Sequence, residues 1–557
     1  MFRRLTDRLI ARCAYLACKG RPVREAESLI WQALVYLALA GTDTRKMTAQ
    51  VRDQLLSEGR LRLADQTILI LYQGEDLNQL QDEITRMTAR IKVDLYAALI
   101  GHSNEDIAGA CERRSLTLLK LADRMIAEQM QPLPVTVLKA AFLNELDLLL
   151  EREAVVAVRD VTDRIDHFYS QFVLLRNRTL HPQAPKQPTA RDVNWTKLEN
   201  GLRHGVLAGQ YRFGPLRANL LEISPKRWRL KIVAGHDLPP EERTLRAMAE
   251  RHGARYGTNG GFYLLAEHEQ VSPARFGEPI GLLVSEGRVL NPPTIKRSAL
   301  LMDETGRIDI WRLGPIGLKL RIGQARVHAH KINSDTVQPG EIVLYTSSYG
   351  KDLPRAPLQI AVVGRRVVDV AGDNSLTVPV NGLLLAVNNG PAPLGALANI
   401  EPNHEVVYEL PPMRGLGRIV SAVAGGPALL TDGQRDGDLE ADGFDGLLPP
   451  TTFSPFTRAA TALLPRTAWG ITADFRLIAI TVDGRNLAES VGLDLDGLAR
   501  LLADLGCVRA VNMDGGASAR MLVGGQLVDR GSVDIVLDGE SARPPRPMSS
   551  AILLVER

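Results

Sequence analysis

The chain has 557 residues, a formal net charge of +3, 45% hydrophobic residues and 24% charged residues. This composition is typical of an ordinary soluble globular protein, and it excludes a mainly disordered chain, a collagen-like chain and a coiled-coil rod. The near balance of charge lacks the basic excess of a nucleic-acid binder. The four cysteines are too few for a disulfide framework, and no C-x-x-C pair indicates a zinc site. The length predicts two or three domains.

The N-terminus carries no clear targeting signal. The charged side chains of Asp7, Arg8 and Arg12 interrupt the stretch that would have to be the apolar region of a signal peptide. The most apolar early stretch, residues 29–40, is shorter than the roughly 20 residues that a membrane-spanning helix needs. We therefore expect a cytoplasmic protein without a membrane span, with export by an atypical route left open.

Residues 1–180 have the apolar spacing of helices. Apolar side chains recur every three or four residues over 25–40, 77–100 and 104–131. This pattern predicts an all-α helical-bundle domain of unknown function, in which a protein partner or a second copy of the chain would dock. The Pro-rich sequence HPQAPKQPTA that begins at His181 then predicts a linker over 181–204.

After the linker, glycine and proline become frequent, and short β-type runs such as 228–234, 359–363 and 477–482 dominate. Two helices are predicted, over 241–252 and 493–505, each followed by a glycine that can cap it. Residues 205–557 are therefore predicted to form an α+β domain with a mixed sheet and helices.

The segment VNMDGGASARMLVGG, which begins at Val511, holds the most chemical information. An apolar run leads into Asp514, Gly515 and Gly516, and this order places a carboxylate at the end of a strand, where the backbone can approach a ligand closely. The amides after Asp514 would line a nest for phosphate oxygens. A plain Asp-Gly turn is an alternative of about equal weight.

The segment YGTNGGFY, which begins at Tyr256, has a similar order of residues. Asn259 precedes Gly260 and Gly261, and its amide can bind sugar hydroxyls or phosphate. Taken alone, this segment is more often a turn than a binding site.

The segment PRTAWGITADFRLIAITVDGR, which begins at Pro465, predicts a hairpin. Arg466 and Thr467 stand at its start, and Asp483 stands where it closes. An arginine near a phosphodiester can hold two of its oxygens with parallel hydrogen bonds. The alternative for Arg466 is a surface salt bridge.

Taken together, these segments resemble the phosphodiester glycosidase family. The family's motifs match in order at 259–263, 277–281, 332–350, 425–427, 466–470, 483–484 and 512–518, within roughly residues 205–557. Three residues depart from the family pattern. Ala517 replaces a third glycine, Met513 replaces a leucine, and Arg520 stands where the family prefers a small polar residue.

The resemblance implies hydrolysis of the bond between a sugar's anomeric carbon and phosphate. The implied substrate is a phosphorylated glycan or a sugar-1-phosphodiester such as that of N-acetylglucosamine, on a bacterial polysaccharide or cell-wall glycopolymer. The implied catalytic carboxylates are Asp514, ranked first, and then Asp483 and Glu278, with their individual roles left open. The implied substrate-binding residues are Asn259, Gly260, Gly261, Arg466, Thr467, Asn512, Gly515, Gly516 and Ser518.

Two alternatives to a metal-free hydrolase stay open. The first is a non-catalytic phosphoglycan-binding module, marked by Ala517 and Arg520, whose helical domain docks a partner. The second adds a divalent metal such as calcium, because the loop over 432–446 is acidic and from Asp438 begins like an EF-hand. A bidentate glutamate is required where this chain has Pro449, so a solvated acidic loop without a cofactor is the preferred interpretation.

Overall fold

The described residues of this computed structural model all fall within one compact unit, Pro185–Val533 and Asp538–Arg557. The predicted helical bundle over 1–180 lies outside the described residues, and its prediction stays a prediction. The residues described are 187–211, 214–235, 238–239, 242–264, 277–372, 375–391, 394–444, 462–486, 489–532 and 546–557.

Strands dominate this part of the chain. They hold 46% of its residues, against 10% in helix. The predicted α+β class is therefore wrong, and the fold is sheet-rich. The two predicted helices do form, as α1 (Leu245–Arg251) and α2 (Leu495–Asp504). They are short, however, and most of the segments between them are strands.

The strands, in chain order, are β1 (Val193–Glu199), β2 (Leu202–Tyr211), β3 (Gly214–Ile223), β4 (Trp228–Ala234), β5 (Tyr256–Asn259), β6 (Leu283–Ser285), β7 (Arg288–Asn291), β8 (Arg297–Asp303), β9 (Ile308–Leu313), β10 (Lys319–Ile322), β11 (Ala325–His328), β12 (Lys331–Ile332), β13 (Glu341–Thr346), β14 (Leu358–Val363), β15 (Arg366–Ala371), β16 (Gly382–Asn388), β17 (Val406–Glu409), β18 (Ile419–Ala424), β19 (Ala428–Thr431), β20 (Gln434–Arg435), β21 (Arg466–Thr472), β22 (Leu477–Val482), β23 (Cys507–Asn512), β24 (Met521–Val523), β25 (Gln526–Leu527) and β26 (Ser550–Glu556).

The largest sheet has eight strands in the order β1-β2-β3-β22-β21-β23-β19-β20. Residues 193–204, which the sequence assigned to a linker, lie in or between its first two strands. Every residue of β21 and β22 is buried, as expected for central strands that are covered on both faces. Their sequences accordingly lack the alternation of apolar and polar residues that marks a half-exposed strand.

A second sheet joins distant parts of the chain in the order β25-β24-β5-β26-β4. Its inner face packs against the largest sheet, and a shared apolar core contains Trp469, Leu221 and Ile552. Burial of such a core is the main favourable contribution to folding. The remaining sheets have the orders β7-β6-β18-β8-β9, β12-β13-β16-β14-β15 and β11-β10-β17.

Strand direction brings several motifs to one edge of the largest sheet. Strand β21 runs antiparallel to both of its neighbours, with Arg466 opposite Val482 and Ala468 opposite Asn512. The start of β21 therefore lies beside the ends of β22 and β23. The loops that follow these strand ends form the candidate site.

Helix α2 is anchored at this same part of the fold. Asp494 caps its N-terminus by accepting a hydrogen bond from the Gly497 amide at 2.7 Å, and it also accepts one from the Tyr211 hydroxyl at 2.6 Å. In the part of the chain that the structure describes, no helix is both long enough and apolar enough to cross a membrane.

Candidate functional site

Asp514 stands two residues after the end of β23, in a tightly packed turn. Its side chain is buried, and its Oδ1 accepts a hydrogen bond from the Gly515 amide at 3.0 Å. The Gly516 amide donates to the Pro465 carbonyl at 2.8 Å, so this amide binds the start of β21 and is not available as part of a phosphate nest. The positive φ angle of the turn falls on Gly516 and not on Ala517, so the departure at 517 causes no backbone strain.

Asn259 joins three strand ends through one side chain that is almost fully buried. Its Nδ2 donates to the Asp514 carbonyl at 2.7 Å, and its Oδ1 accepts from the Thr467 hydroxyl at 2.7 Å. The same oxygen accepts from the Arg520 amide at 3.1 Å. Three motifs that are far apart in the sequence therefore meet here, and Asn259 and Thr467 hold the backbone of Asp514 in place.

Gly260 and Gly261 are required by packing between strands. A β-carbon at Gly260 would lie 2.3 Å from Oγ of Ser550, and one at Gly261 would lie 2.1 Å from the Ala424 carbonyl oxygen. Both distances are far below van der Waals contact. These glycines thus bring β5 close to its neighbours, and the sequence had assigned them to substrate binding.

Arg466 is occupied by the protein backbone. Its Nε donates to the Leu493 carbonyl and its Nη2 to the Ala462 carbonyl, each at 3.0 Å, and the side chain is buried. Arg466 thereby fixes two loops at the edge of the sheet. The predicted role as a phosphate clamp stays a prediction, with these backbone contacts against it.

A different arginine, Arg485, lies beside the turn after β23. It is buried and has a left-handed φ of 59°, which is uncommon for a residue other than glycine. Its Nη1 donates to the Ser532 carbonyl at 3.0 Å, and its Nη2 would lie 3.3 Å from a β-carbon at Gly516. Arg485 is not among the site residues predicted from the sequence, although it directly follows the Asp-Gly pair that begins at Asp483.

Asp483 follows β22 and is buried between several charged groups. Its Oδ1 accepts from the Arg530 amide at 3.1 Å, and its Oδ2 lies 3.6 Å from Nε of Arg217. Burial raises the pKa of the Asp483 carboxyl to about 7, and repulsion from Asp529 adds to the rise. A carboxylic acid with such a pKa is half-protonated near neutral pH, which is suited to proton transfer.

Two buried polar atoms flank Asp514. Asn512 donates through Nδ2 to the Gly426 carbonyl at 2.9 Å, but its Oδ1 has no hydrogen-bond partner in the described part of the chain. Oγ of Ser518 is likewise buried without such a partner there. Buried polar atoms of this kind call for an explanation, and a ligand that bonds to them is one.

Glu278 lies in a loop that extends from the strand that contains Asn259. The Leu264 amide donates to the Glu278 carbonyl at 2.9 Å, and the Glu278 side chain is half-buried. The neighbouring Pro279 carbonyl accepts from Nδ2 of Asn381 at 2.7 Å. The backbone around Glu278 is therefore anchored to the segment that follows Asn259 and to Asn381.

A cavity of about 470 Å³ opens beside this loop. One wall contains Thr346 and Tyr349. The other wall is formed by residues between Ser375 and Val380, and Val380 directly precedes Asn381. Asn333 donates to the Thr346 hydroxyl at 3.0 Å, and this contact holds the first wall in place. The family segment found over 332–350 in the sequence thus builds the cavity wall. The lining residues are Thr346, Ser347, Tyr349, Gly350, Lys351, Asp352, Leu353, Ser375, Leu376, Thr377, Val378 and Val380.

The acidic loop that begins like an EF-hand has another structural role. Asp442 is fully buried and accepts hydrogen bonds from the Ser298 and Ala428 amides, at 2.5 and 2.8 Å. It also lies 3.2 Å from Nη2 of Arg312. Its carboxylate therefore fastens the loop to β8. Among the described residues, no group of three or more His, Cys, Asp or Glu side chains is arranged to hold a metal ion.

Residues 356–555 match the model of the phosphodiester glycosidase family. The resemblance drawn from the motifs is thereby confirmed over that range, which includes Asp483 and Asp514. The matched range begins two residues before β14. Asn259 and Glu278 therefore precede the matched range in the chain. No curated protein matches the chain.

Several solved structures are similar to the chain. A protein from Synechocystis is 20% identical with a TM-score of 0.42, and the match covers 67% of this chain and 64% of that one. A protein from Burkholderia pseudomallei K96243 is 23% identical with a TM-score of 0.39, covering 62% and 74%. The catalytic domain of zebrafish N-acetylglucosamine-1-phosphodiester alpha-N-acetylglucosaminidase, auto-inhibited by its pro-peptide, is 13% identical with a TM-score of 0.35, covering 67% and 87%.

Proposed function

We propose that the chain is a hydrolase that cleaves the bond between the anomeric carbon of a sugar and phosphate in a sugar-1-phosphodiester. The observation that carries this proposal is the meeting of three motifs around Asp514, within a region that matches the phosphodiester glycosidase family. Asn259 and Thr467 fix the backbone at that point. The N-acetylglucosamine diester is the substrate to test first, because the family resemblance implies it.

The proposed hydrolysis requires a proton donor, a base or nucleophile at the anomeric carbon, and a binding site for the phosphate. Asp483 is protonated up to about pH 7 and is the candidate donor. Asp514 is the candidate base or nucleophile at the anomeric carbon, by analogy with the two carboxylates of other glycosidases. Arg485, beside the Gly516 turn, is a further candidate for contact with phosphate in addition to Arg466, because it is the arginine that lies against the turn after Asp514.

The cavity beside the Glu278 loop is our candidate site for the remainder of a longer glycan. Its volume of about 470 Å³ is suited to one or two sugar rings. The ring of Tyr349 offers an apolar face, and the exposed Thr377 hydroxyl offers a hydrogen bond to a sugar hydroxyl. Lys351 and Asp352 carry opposite charges, which favours a neutral occupant.

The test is sugar release by the purified full chain from a synthetic N-acetylglucosamine-1-phosphodiester, with a simple N-acetylglucosamine glycoside as the control substrate. Asp514→Asn is compared with the wild type, and Asp369→Asn serves as the matched control because Asp369 is exposed on β15. We expect release from the phosphodiester alone, reduced at least about 100-fold in Asp514→Asn and unchanged in Asp369→Asn.

Other outcomes have equally clear meanings. Equal release by Asp514→Asn would remove this residue from catalysis. No release from either substrate, together with a higher melting temperature in the presence of the diester, would favour the phosphoglycan-binding module instead.

A further inference from the structure

A second buried aspartate lies next to Asp483. Asp529 follows β25, and its side chain is only 1% exposed. Its Oδ1 accepts from the Met521 amide at 2.5 Å, and its Oδ2 lies 2.8 Å from Nε of Arg520. The residue after Asp529 is Arg530, whose amide donates to Asp483. Asp483 is therefore hydrogen-bonded to the peptide group that directly follows Asp529.

Asp529 has a closer arginine contact than Asp483 has. Arg520 has an 11% exposed side chain and makes its close contact with Asp529, whereas Arg217 is 37% exposed and stays 3.6 Å from Asp483. The Arg530 guanidinium is directed elsewhere, because its Nε lies 2.6 Å from Glu489. Asp529 thus has the stronger counter-charge, and Asp483 is the carboxylate with less compensation.

His204 on β2, which lies near Arg217, adds no further charge at neutral pH. His204 lies 3.2 Å from the Asn219 amide oxygen on β3, and burial, together with the nearby Arg217, keeps its pKa below the ordinary value. The charged groups that act on Asp483 are therefore Asp529, Arg217 and Arg520, whereas Glu489 is paired with Arg530. Burial disfavours the charged form of both carboxylates, so this pair retains one proton between them more readily than two exposed carboxylates do.

We propose that Asp529 is a positioning residue that keeps one shared proton on Asp483, so that Asp483 can donate it to the leaving phosphate. This inference rests on the proposed function. As the bond from the anomeric carbon to oxygen breaks, its electron pair goes to the phosphate oxygen, which takes the Asp483 proton. Water adds to the anomeric carbon and gives a proton to Asp514. Return of that proton to Asp483 through solvent restores the starting state.

The pKa directions agree with this arrangement. Burial raises the pKa of Asp529 as well as that of Asp483, and repulsion from Asp529 is the second cause of the rise at Asp483. A purely structural Asp529, acting only as the anchor for Arg520 and Met521, would leave the titration of Asp483 unchanged when its charge is removed.

The test removes the charge of Asp529 and keeps its shape. In full-length protein with 13C-labelled aspartate carboxyls, the Asp483 signal is assigned by its absence from Asp483→Asn. We expect this signal to titrate near pH 7 in the wild type and at least about one pH unit lower in Asp529→Asn. The alkaline fall of kcat/KM for the sugar phosphodiester should shift in the same direction. Asp369→Asn, which changes an exposed carboxylate, should shift neither.

A second variant keeps the proposal testable if Asp529→Asn does not fold. Arg520→Gln removes a positive charge that lowers the pKa of Asp483, so the Asp483 signal should move to higher pH. An Asp483 signal that titrates at the same pH in the wild type and in either folded variant would overturn the proposal. The expected shifts in a protein without hydrolytic activity would keep the carboxylate pair and reject only the proposed function.

Discussion

The raised pKa of Asp483 makes a quantitative prediction about stability. This carboxyl has an ordinary pKa of 3.8 and a folded-state pKa of about 7. Below pH 3.8 it is protonated in both states and contributes nothing to the pH dependence. As the pH rises, the unfolded chain loses this proton first and is stabilised relative to the folded state. The loss of folded-state stability is complete above about pH 7.

The size of the effect follows from the same two pKa values. Each pKa unit corresponds to about 1.4 kcal/mol, so a rise from 3.8 to about 7 costs on the order of 4 kcal/mol of unfolding free energy at alkaline pH. Carboxylates whose pKa is lowered, such as Asp303 and Asp436, have the opposite effect in acid. The quantity to measure is therefore the difference in unfolding free energy between wild type and Asp483→Asn at each pH. The contributions of Asp303 and Asp436 are present in both proteins and cancel in this difference.

Urea unfolding between pH 4 and pH 8 measures this difference. Tryptophan fluorescence reports on the described sheets, because four of the five tryptophans lie in their strands. We expect Asp483→Asn to gain on the order of 4 kcal/mol relative to wild type across this range. A difference that stays constant to within about 1 kcal/mol would refute the assigned pKa. The four tryptophans are Trp195, Trp228, Trp311 and Trp469.

Four further predictions follow from single contacts. Asn259→Ala leaves three hydrogen-bonding groups at this buried site without their partner and should cost about 3 kcal/mol or more in urea unfolding, whereas Asn194→Ala on the exposed face of β1 should change stability by less than about 0.5 kcal/mol. Gly261→Ala places a methyl group 2.1 Å from a carbonyl oxygen and should cost about 3 kcal/mol by the same assay. Cys507 is buried with its thiol pKa raised to about 12, so a thiol reagent should modify it only after unfolding. Tyr349→Ala should raise KM for longer glycan phosphodiesters and leave kcat for the smallest one unchanged.

Much of the candidate site could be predicted from the sequence because its motifs are local. Asn259, Thr467 and Asp514 each stand at a strand end that the apolar runs marked, and the structure brings all three together. Motif order also found the family that residues 356–555 match. The motifs therefore led to the Asp514 turn, whose catalytic role stays a prediction, but they did not show which groups surround it.

The remainder depended on strand pairing between distant residues. Strand β5 pairs with β24 and β26, which lie more than 250 residues further along the chain, and local periodicity has no information on such pairs. For the same reason the sequence could not show that Ser550 and Ala424 leave no room for a side chain at Gly260 and Gly261. Asp529 was missed because a single aspartate after a short strand resembles a turn residue, and only its burial beside Arg520 distinguishes it.

The pairing of strands also sets the smallest part of the chain that can carry the candidate site. Residues 356–555 contain Asp483 and Asp514 but lack β3, β4 and β5. Without β3, the buried strand β22 becomes an unpaired edge and Arg217 is lost from beside Asp483. Without β5, Asp514 loses the Asn259 amide that holds its backbone. The region that matches the family is thus completed by strands that precede it, and the structural unit of the site begins at β1.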